Sequence, residues 1–215
     1  MKIAVFGASG RTGSLVVEEV LKRGHRAVAV TRTALKLPTN NLLENRVGDV
    51  TSASFDSKAI EGCDKIISCI GQRRRSPLSK SSSPNDILSS VMRAVVGAIG
   101  SGSSRQVVYL SAFGVGEDLK KHSIIFRAVL KLFSIGDAYK DHAEAEILLK
   151  SSGVSWTIVR PVGLVEKGNG QPAVDLGNQW SSFDTVSFEA VAQLLVDCVE
   201  DPGTVGKTMT IGKRS

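Results

Sequence analysis

The stretch IAVFGASGRTG at residues 3–13 decides the fold of this chain. Four apolar residues are followed by Gly7, Gly10 and Gly13, and then by apolar residues at helical spacing within residues 15–21. A strand, a glycine turn and a helix in this order are typical of dinucleotide-binding domains, in which the glycines permit a tight turn and a close approach of a pyrophosphate. The phosphate then lies at the start of the helix, against backbone N–H groups. We therefore predict a nucleotide site here, with an ordinary turn between strand and helix as the alternative.

The end of the second predicted strand indicates which dinucleotide is preferred. Residues 26–31 form this strand, and Thr31, Arg32 and Thr33 stand where NAD-binding domains usually carry an acidic residue for the ribose diol. An arginine there makes charge-assisted hydrogen bonds to a 2′-phosphate, and Arg11 in the glycine turn lies close enough in such folds to assist. We therefore predict NADP(H) as the cofactor. A solvated arginine at a strand end is the alternative.

Strands and helices alternate along the rest of the chain. Further strands are predicted at residues 46–50, 65–70, 106–110 and 156–159. Such alternation is typical of an α/β fold, here a Rossmann-type doubly wound parallel sheet with helices on both faces. We predict a single NAD(P)-binding domain over residues 1–215, with a substrate pocket formed by the loops at the carboxyl ends of the strands.

Two later helices and a last strand complete this prediction. The helix at residues 137–152 is predicted to bury a stripe of three apolar residues, which are Ala143, Ile147 and Leu148. A further helix is predicted at residues 188–200 and a short final strand at residues 207–211. We find no internal repeat.

The carboxyl ends of parallel strands meet at one edge of the sheet, where the cofactor of an open α/β sheet binds. We predict Asp49 and Val50 beside the adenine, and Ile70 and Gly71 beside the phosphates or ribose. Simple turn chemistry is the alternative at these positions. The full set of predicted cofactor-binding residues is Gly7, Ser9, Gly10, Arg11, Thr12, Gly13, Arg32, Asp49, Val50, Ile70, Gly71, Arg73, Ser111, Ala112 and Pro161.

Arginines, prolines and serines break the regular pattern at residues 72–84, before a helix predicted at residues 85–100. A segment of this length and composition predicts a long mobile loop. Arg73, Arg74 and Arg75 are predicted to cover the cofactor phosphates or to attract an anionic substrate. A solvated cluster of charges is the alternative.

Composition limits the classes of partner. The chain has 215 residues with 27 basic and 21 acidic side chains, and its net charge of +6 favours anionic partners. Aromatic residues make up only 5% of the chain and no RNP or zinc-finger motif occurs, so we expect no nucleic-acid binding. No apolar run is long enough to span a membrane, and we expect a cytoplasmic protein that does not bind membranes.

Cysteine usage agrees with that location. The three cysteines, Cys63, Cys69 and Cys198, lack the spacing of metal ligands or of a redox pair. We expect buried thiols in a reducing compartment and no metal site. We also expect a monomer rather than an oligomer.

Several motifs together carry a family resemblance. They are residues 3–13, Thr31-Arg32, Leu37-Pro38, residues 47–50, Ser111-Ala112-Phe113, Asp141-His142 and residues 149–153. The sequence resembles the atypical short-chain dehydrogenases/reductases of the NAD(P)-binding, NmrA-like kind, and among them the flavin and biliverdin reductases. The resemblance runs along essentially the whole chain, although residues 73–84, residues 114–116 and the segment before Asp141 differ. The combination of Ser-Ala-Phe with Asp-His is its narrowest part.

The resemblance implies an NADPH-dependent reduction of a small-molecule acceptor. Hydride would pass from the nicotinamide to a flat conjugated molecule such as a flavin or a linear tetrapyrrole. By resemblance, Ser111 lies beside the nicotinamide and the acceptor and His142 lies near the mouth of the pocket, and these two are our predicted catalytic residues.

The sequence lacks one part of the common reductase mechanism. Those enzymes use a tyrosine four residues before a lysine as the acid, but here Tyr139 is followed at that spacing by Ala143. The proton is then expected from water or from a weak donor such as His142. The alternative to an enzyme is a non-enzymatic NADP(H)-binding redox sensor, whereas an epimerase is disfavoured because little chain follows Pro161.

Overall fold

A computed structural model gives the fold of the chain. It describes residues 1–34, 40–49, 57–72, 83–100, 102–116, 136–168, 172–175, 180–181 and 184–213. Its helices are α1 (Arg11–Lys22), α2 (Ile87–Ile99), α3 (Gly136–Ser151) and α4 (Phe188–Glu200). Its strands are β1 (Lys2–Phe6), β2 (Arg26–Thr31), β3 (Leu43–Val47), β4 (Lys65–Ser68), β5 (Gln106–Leu110), β6 (Ser155–Pro161), β7 (Gly163–Val165), β8 (Pro172–Asp175), β9 (Thr185–Ser187) and β10 (Thr208–Lys213).

Strand β1 lies in the interior of the sheet because it is apolar on both faces. Its side chains alternate, so that Ile3 and Val5 pack into one hydrophobic core and Ala4 and Phe6 into the other. Helices α1 and α4 cover the first face, and α2 and α3 cover the second. The predicted α/β architecture with helices on both faces is confirmed.

The order of the strands places a crevice beside β1. The main sheet runs β3-β2-β1-β4-β5-β6-β10-β8, and every neighbouring pair is parallel except β10 with β8. Strand order reverses between β1 and β4, and an open α/β sheet binds its ligand at the carboxyl ends of such a pair. Strands β7 and β9 form a separate two-stranded parallel sheet.

The third strand differs from its prediction. It spans Leu43–Val47, not residues 46–50, and it pairs with β2 at the edge of the sheet. No residue of this strand is buried. Its sequence is therefore mostly polar and lacks the apolar run that predicts the interior strands. The prediction therefore relied on the following turn instead of the strand itself.

The predicted apolar stripe of the helix at residues 137–152 is also wrong. Ile147 is 66% exposed, and Ala143 and Leu148 are only partly buried. The buried residues of α3 are Asp141, Ala145, Glu146 and Leu149. Two of these four are carboxylates, so apolar periodicity gave the wrong rotation for this helix.

Asp141 explains why a carboxylate is buried on α3. It accepts hydrogen bonds from the backbone N–H groups of Leu88 (2.8 Å) and Ser89 (2.9 Å) in the first turn of α2. Asp86, at the N-cap position of α2, makes no capping hydrogen bond through its side chain. Asp141 therefore caps α2 from a neighbouring helix, where a negative charge is favourable.

Within the described residues, no helix has the length and apolar character needed to cross a bilayer.

This cap leads to a stability prediction. We expect Asp141→Ala to lower the free energy of unfolding by about 2 kcal/mol, because two buried N–H groups lose their acceptor. Urea unfolding followed by circular dichroism measures the change. The matched control is Asp137→Ala, which removes an exposed carboxylate from the same helix and should change the value by less than about 0.5 kcal/mol. Equal effects of the two substitutions would show that Asp141 is not a cap.

Candidate functional site

The turn after β1 leaves no room for a Cβ atom at two of its glycines. Gly7 has a φ of +76°, and a Cβ atom there would lie 2.9 Å from the backbone carbonyl oxygen of Cys69. A Cβ atom at Gly13 would lie only 2.1 Å from the carbonyl oxygen of Gly7. The N–H of Gly10 donates to that same oxygen over 2.8 Å. Helix α1 therefore approaches the turn closely at Gly13, as its predicted role requires.

The start of α1 carries no cap. Gly10 occupies the N-cap position, where no side chain makes a capping hydrogen bond. The first turn of the helix contains no acidic residue. The N–H groups at this end carry a partial positive charge from the helix dipole. This end of α1 is thus suited to bind an anionic group.

A cleft of about 770 Å³ runs along the carboxyl ends of β1, β2, β4, β5 and β6. Its lining includes most of the predicted site residues, namely Gly7, Ser9, Gly10, Arg11, Thr12, Arg32, Ile70, Gly71, Ser111, Ala112, His142 and Pro161. Gly13 does not line the cleft but is buried beneath the turn, and Gly48 lines it in place of Asp49. Val50 and residues 73–75 lie outside the described residues.

The end of β2 presents a cation to the cleft. Thr31 is buried, and its hydroxyl donates to the carbonyl of Thr33 over 2.8 Å and accepts from the Asn45 amide over 2.8 Å. Arg32 is exposed and lines the cleft, and within the described part of the chain no carboxylate pairs with it. The guanidinium therefore has capacity for an anionic ligand.

Arg11 is held at the opposite side of the glycine turn. Its guanidinium lies 4.8 Å from the ring centroid of Phe188 and 3.1 Å from a carboxylate oxygen of Glu166. The side chains of Arg11 and Glu166 are 73% and 74% exposed, so their ion pair contributes little stability. A phosphate at the start of α1 can therefore replace Glu166 as the partner of Arg11 at little cost.

Two polar contacts join β5 to α3 beside the cleft. The hydroxyl of Tyr109 lies 2.8 Å from Nδ1 of His142, and the hydroxyl of Ser111 donates to the carboxylate of Glu146 over 2.7 Å. Tyr109 and Ser111 are two residues apart at the carboxyl end of β5, and His142 and Glu146 are four apart on α3, so each pair points to one side. Ser111 and His142, the two predicted catalytic residues, are thereby brought to neighbouring positions of the same wall.

Glu146 is buried but ionised. Burial raises the pKa of its carboxyl group, but hydrogen bonds and charge from Arg160 outweigh burial and hold that pKa below its ordinary value. Arg160 donates through Nε over 2.9 Å and through Nη2 over 2.5 Å, and Lys150 lies 3.4 Å away. The pair is thus a two-point salt bridge, which orients the carboxylate rigidly.

His142 is neutral in this environment. Burial lowers its pKa to about 4, although the carboxylates of Glu146 and Asp141 act in the opposite direction. Burial also raises the pKa of Tyr109 well above its ordinary value, so the phenol keeps its proton. The Tyr109 hydroxyl and Nδ1 of His142 then share a hydrogen bond between two uncharged groups, and its direction depends on the tautomer of the imidazole.

Two residues that line the cleft, and one beside it, were not among the predicted site residues. Tyr139 lines the cleft, and burial raises its pKa to about 12. Gln72 also lines it, and among the described residues neither atom of its buried side-chain amide has a hydrogen-bond partner. An unpaired buried amide costs about 1–3 kcal/mol, and a ligand with polar atoms would satisfy it. Glu146, with Arg160, supports Ser111 from behind. The spacing of His142 and Glu146 by one helical turn was the only sequence signal for that support.

The features of the cleft match the requirements of a dinucleotide. The glycine turn has no room for a Cβ atom at two positions, the uncapped helix can accept phosphate, and two arginines flank it. The cleft continues from there to Ser111, His142 and the unpaired amide of Gln72. The residues present therefore fit a molecule with an anionic middle and a polar aromatic end.

Within the described residues, no group of three or more His, Cys, Asp or Glu side chains could hold a metal ion.

Comparison with known families gives a consistent result. The model of the NAD(P)H-binding family matches residues 7–202. Among curated proteins, the chain is similar to the chloroplastic divinyl chlorophyllide a 8-vinyl-reductase of Arabidopsis thaliana, with 26% identity over 239 aligned residues. The alignment covers 99% of this chain but 53% of that protein, so the chain spans about half the length of this relative.

Solved structures share the fold. A proposed NADH-flavin reductase from Streptococcus pneumoniae TIGR4 has a TM-score of 0.77 and 20% identity, with full coverage of both chains. The anaerobillin reductase ChuY from Escherichia coli O157:H7 has a TM-score of 0.74 and 20% identity over 98% of this chain and 96% of its own. At such identities the likeness concerns the fold.

The close contact of α1 with the turn is testable by adding one methyl group. We expect Gly13→Ala to destabilise the protein by about 1–3 kcal/mol, because the new Cβ atom overlaps the carbonyl oxygen of Gly7. Gly97→Ala is the matched control, since Gly97 lies in α2 with nothing within 4 Å of its added Cβ atom. That substitution should raise stability by up to about 1 kcal/mol. Urea unfolding checks both, and a neutral Gly13→Ala would contradict the packing described.

Proposed function

Because the chain belongs to the NAD(P)H-binding family, we propose that it is an NADPH-dependent reductase of flat conjugated acceptors, such as flavins or linear tetrapyrroles. One observation carries the proposal: a single cleft joins the glycine turn at the start of α1 to the wall that contains Ser111 and His142. The compared proteins support it, since their names describe the reduction of a flavin, of anaerobillin and of a divinyl chlorophyllide.

The cationic half of the cleft would hold the cofactor. The start of α1 and Arg11 would bind the pyrophosphate, and Arg32 would bind a 2′-phosphate, because Thr31 uses its hydroxyl within the protein. Ile70, Gly71, Ala112 and Pro161 would border the ribose and nicotinamide. Asp49, Val50 and Arg73 stay predictions.

The other half of the cleft would hold the acceptor. Ile87, Val91 and Leu164 give it apolar surface for a flat ring, and Tyr139 and His142 add polar atoms. A bound nicotinamide supplies the hydride. The chain itself would contribute mainly the alignment of the two rings, since neither Tyr139 nor Tyr109 is followed by a lysine at the spacing that activates a phenol.

The alternative is a protein that binds NADP(H) and reports redox state without turnover. The absence of an activated tyrosine fits that alternative as well. NADPH oxidation, measured with FMN, riboflavin, biliverdin and a quinone in turn, separates the two functions. Turnover with a flavin or biliverdin supports the reductase, whereas tight NADPH binding without turnover of any acceptor would favour the sensor.

Cofactor preference is expected to depend on Arg32. Arg32→Ala should weaken NADPH binding about ten- to a hundredfold and leave NADH binding nearly unchanged, because a charge-assisted hydrogen bond to the 2′-phosphate is lost. Arg26→Ala is the matched control, since Arg26 is an exposed arginine at the opposite end of β2. Isothermal titration with both cofactors measures the affinities. Equal affinity of the unmodified protein for NADPH and NADH would overturn the assignment.

The charge of His142 leads to a prediction of pH dependence. With a pKa of about 4, His142 is uncharged at neutral pH, so it can give a proton only from a neutral N–H. Turnover with a flavin should therefore show no inflection from His142 between about pH 5.5 and 8.5. His142→Gln, which keeps a neutral N–H donor, should retain more activity than His142→Ala. An inflection near the ordinary histidine pKa that disappears in His142→Gln would show that the imidazolium is the acid.

A further inference from the structure

We infer that the hydroxyl of Ser111 accepts a hydrogen bond from a ligand N–H in the cleft, and that Glu146 is the positioning residue that imposes this direction. The inference rests on the proposed function, because it concerns the ligands of that cleft. It reverses the role expected of a hydroxyl beside a reducible group, which would donate to an acceptor carbonyl.

The single proton of Ser111 is already engaged. A serine hydroxyl has one O–H donor and two lone pairs, and this O–H points to Glu146 Oε1 over 2.7 Å. Both residues are buried, with exposed fractions of 4% and 3%. Among the described residues, no group donates to the Ser111 oxygen, so its lone pairs are available to the cleft that it lines.

Glu146 is a strong competitor for that proton. Its carboxylate is fixed by Arg160 at two points and has Lys150 nearby, so it does not rotate away from Ser111. A hydrogen bond from a hydroxyl to an ionised carboxylate is roughly twice as strong as one to a neutral carbonyl. A ligand carbonyl would therefore have to replace a stronger acceptor, whereas a ligand N–H adds a bond without breaking one.

Two parts of the proposed ternary complex carry such an N–H. One is the carboxamide of the nicotinamide, and the other is the imide or pyrrole-type N–H of a flavin or tetrapyrrole acceptor. The chemistry is the same in both cases, namely a planar N–H donor next to a conjugated ring. Which of them contacts Ser111 is decided by removing each N–H in turn.

The experiment compares Ser111→Ala with the unmodified protein for four combinations of substrates. The cofactor is NADPH or its 3-acetylpyridine analogue, which has a methyl ketone in place of the carboxamide. The acceptor is lumiflavin or 3-methyllumiflavin, which lacks the imide N–H. Ser151→Ala, an exposed serine on α3, is the matched control. The measured quantity is the ratio of kcat/KM between variant and unmodified protein within each combination, so that steric effects of the analogues cancel.

With NADPH and lumiflavin, Ser111→Ala should lower kcat/KM about tenfold, as loss of one hydrogen bond predicts. The loss should shrink to about twofold or less when the N–H that contacts Ser111 is absent. Shrinkage with the acetylpyridine cofactor assigns the contact to the carboxamide, and shrinkage with 3-methyllumiflavin assigns it to the acceptor. An equal loss in all four combinations would overturn the inference.

Glu146 is tested by reversing the direction of its bond. In Glu146→Gln the amide can donate to Ser111, which frees the serine proton, so the dependence on a ligand N–H should disappear. Since this change removes the counter-charge of the buried Arg160, Glu146→Gln combined with Arg160→Met is prepared in parallel. A dependence on the ligand N–H that persists in the folded variants would show that Glu146 does not set the direction.

Failure of the proposed function can be recognised separately. If the unmodified protein reduces no acceptor, the reductase proposal fails, but binding of the oxidised cofactors still tests Ser111. Affinity for NADP⁺ that falls in Ser111→Ala, with affinity for the acetylpyridine analogue unchanged, would support the inference. Unchanged affinity of Ser111→Ala for both cofactors and for lumiflavin, in a protein without turnover, would overturn it.

Discussion

The contact between helix α1 and the turn after β1 is the constraint on which the site depends. A Cβ atom placed at Gly13 would lie 2.1 Å from the carbonyl oxygen of Gly7. Helix α1 can therefore lie this close to the turn only because residue 13 is a glycine. That approach fixes the direction of α1 and points its uncapped end along the sheet edge, where the other strands also end. A wider spacing would accept side chains, but it would move the N–H groups away from the position proposed for the anion.

The opposite wall is held by polar contacts instead of close backbone packing. Helix α3 presents Asp141 to the start of α2, His142 to Tyr109 and Glu146 to Ser111. Hydrogen bonds are directional, so these contacts fix the rotation of α3 more tightly than apolar contacts would. The cost is that each carboxylate needs a full set of partners in the interior, and Arg160 and the N–H groups of α2 provide them.

The two walls differ in how far the sequence predicts them. The glycine turn could be predicted because its requirements are local: a positive φ at Gly7 and no Cβ atom at Gly13 restrict each position to glycine. The polar wall could be predicted only through Ser111 and His142, which came from the family resemblance. Its supporting contacts depend on the rotation of a distant helix, because Glu146 lies 35 residues after Ser111 in the sequence. Apolar periodicity indicated the wrong rotation, because it cannot represent a buried face made of carboxylates.

Charge is distributed so that the cleft has two electrostatically different halves. Arg11 and Arg32 are exposed at the half formed by α1 and β2, and their positive charge favours anions there. At the other half, Arg160 is neutralised by Glu146 and His142 is uncharged, so a flat ring there meets dipoles and apolar surface. Since the two halves are built from different elements, the proposed function allows substitutions around Tyr139 or His142 to change the acceptor without altering the proposed phosphate contacts. The proposed way of holding the cofactor is thereby compatible with acceptors of different shape.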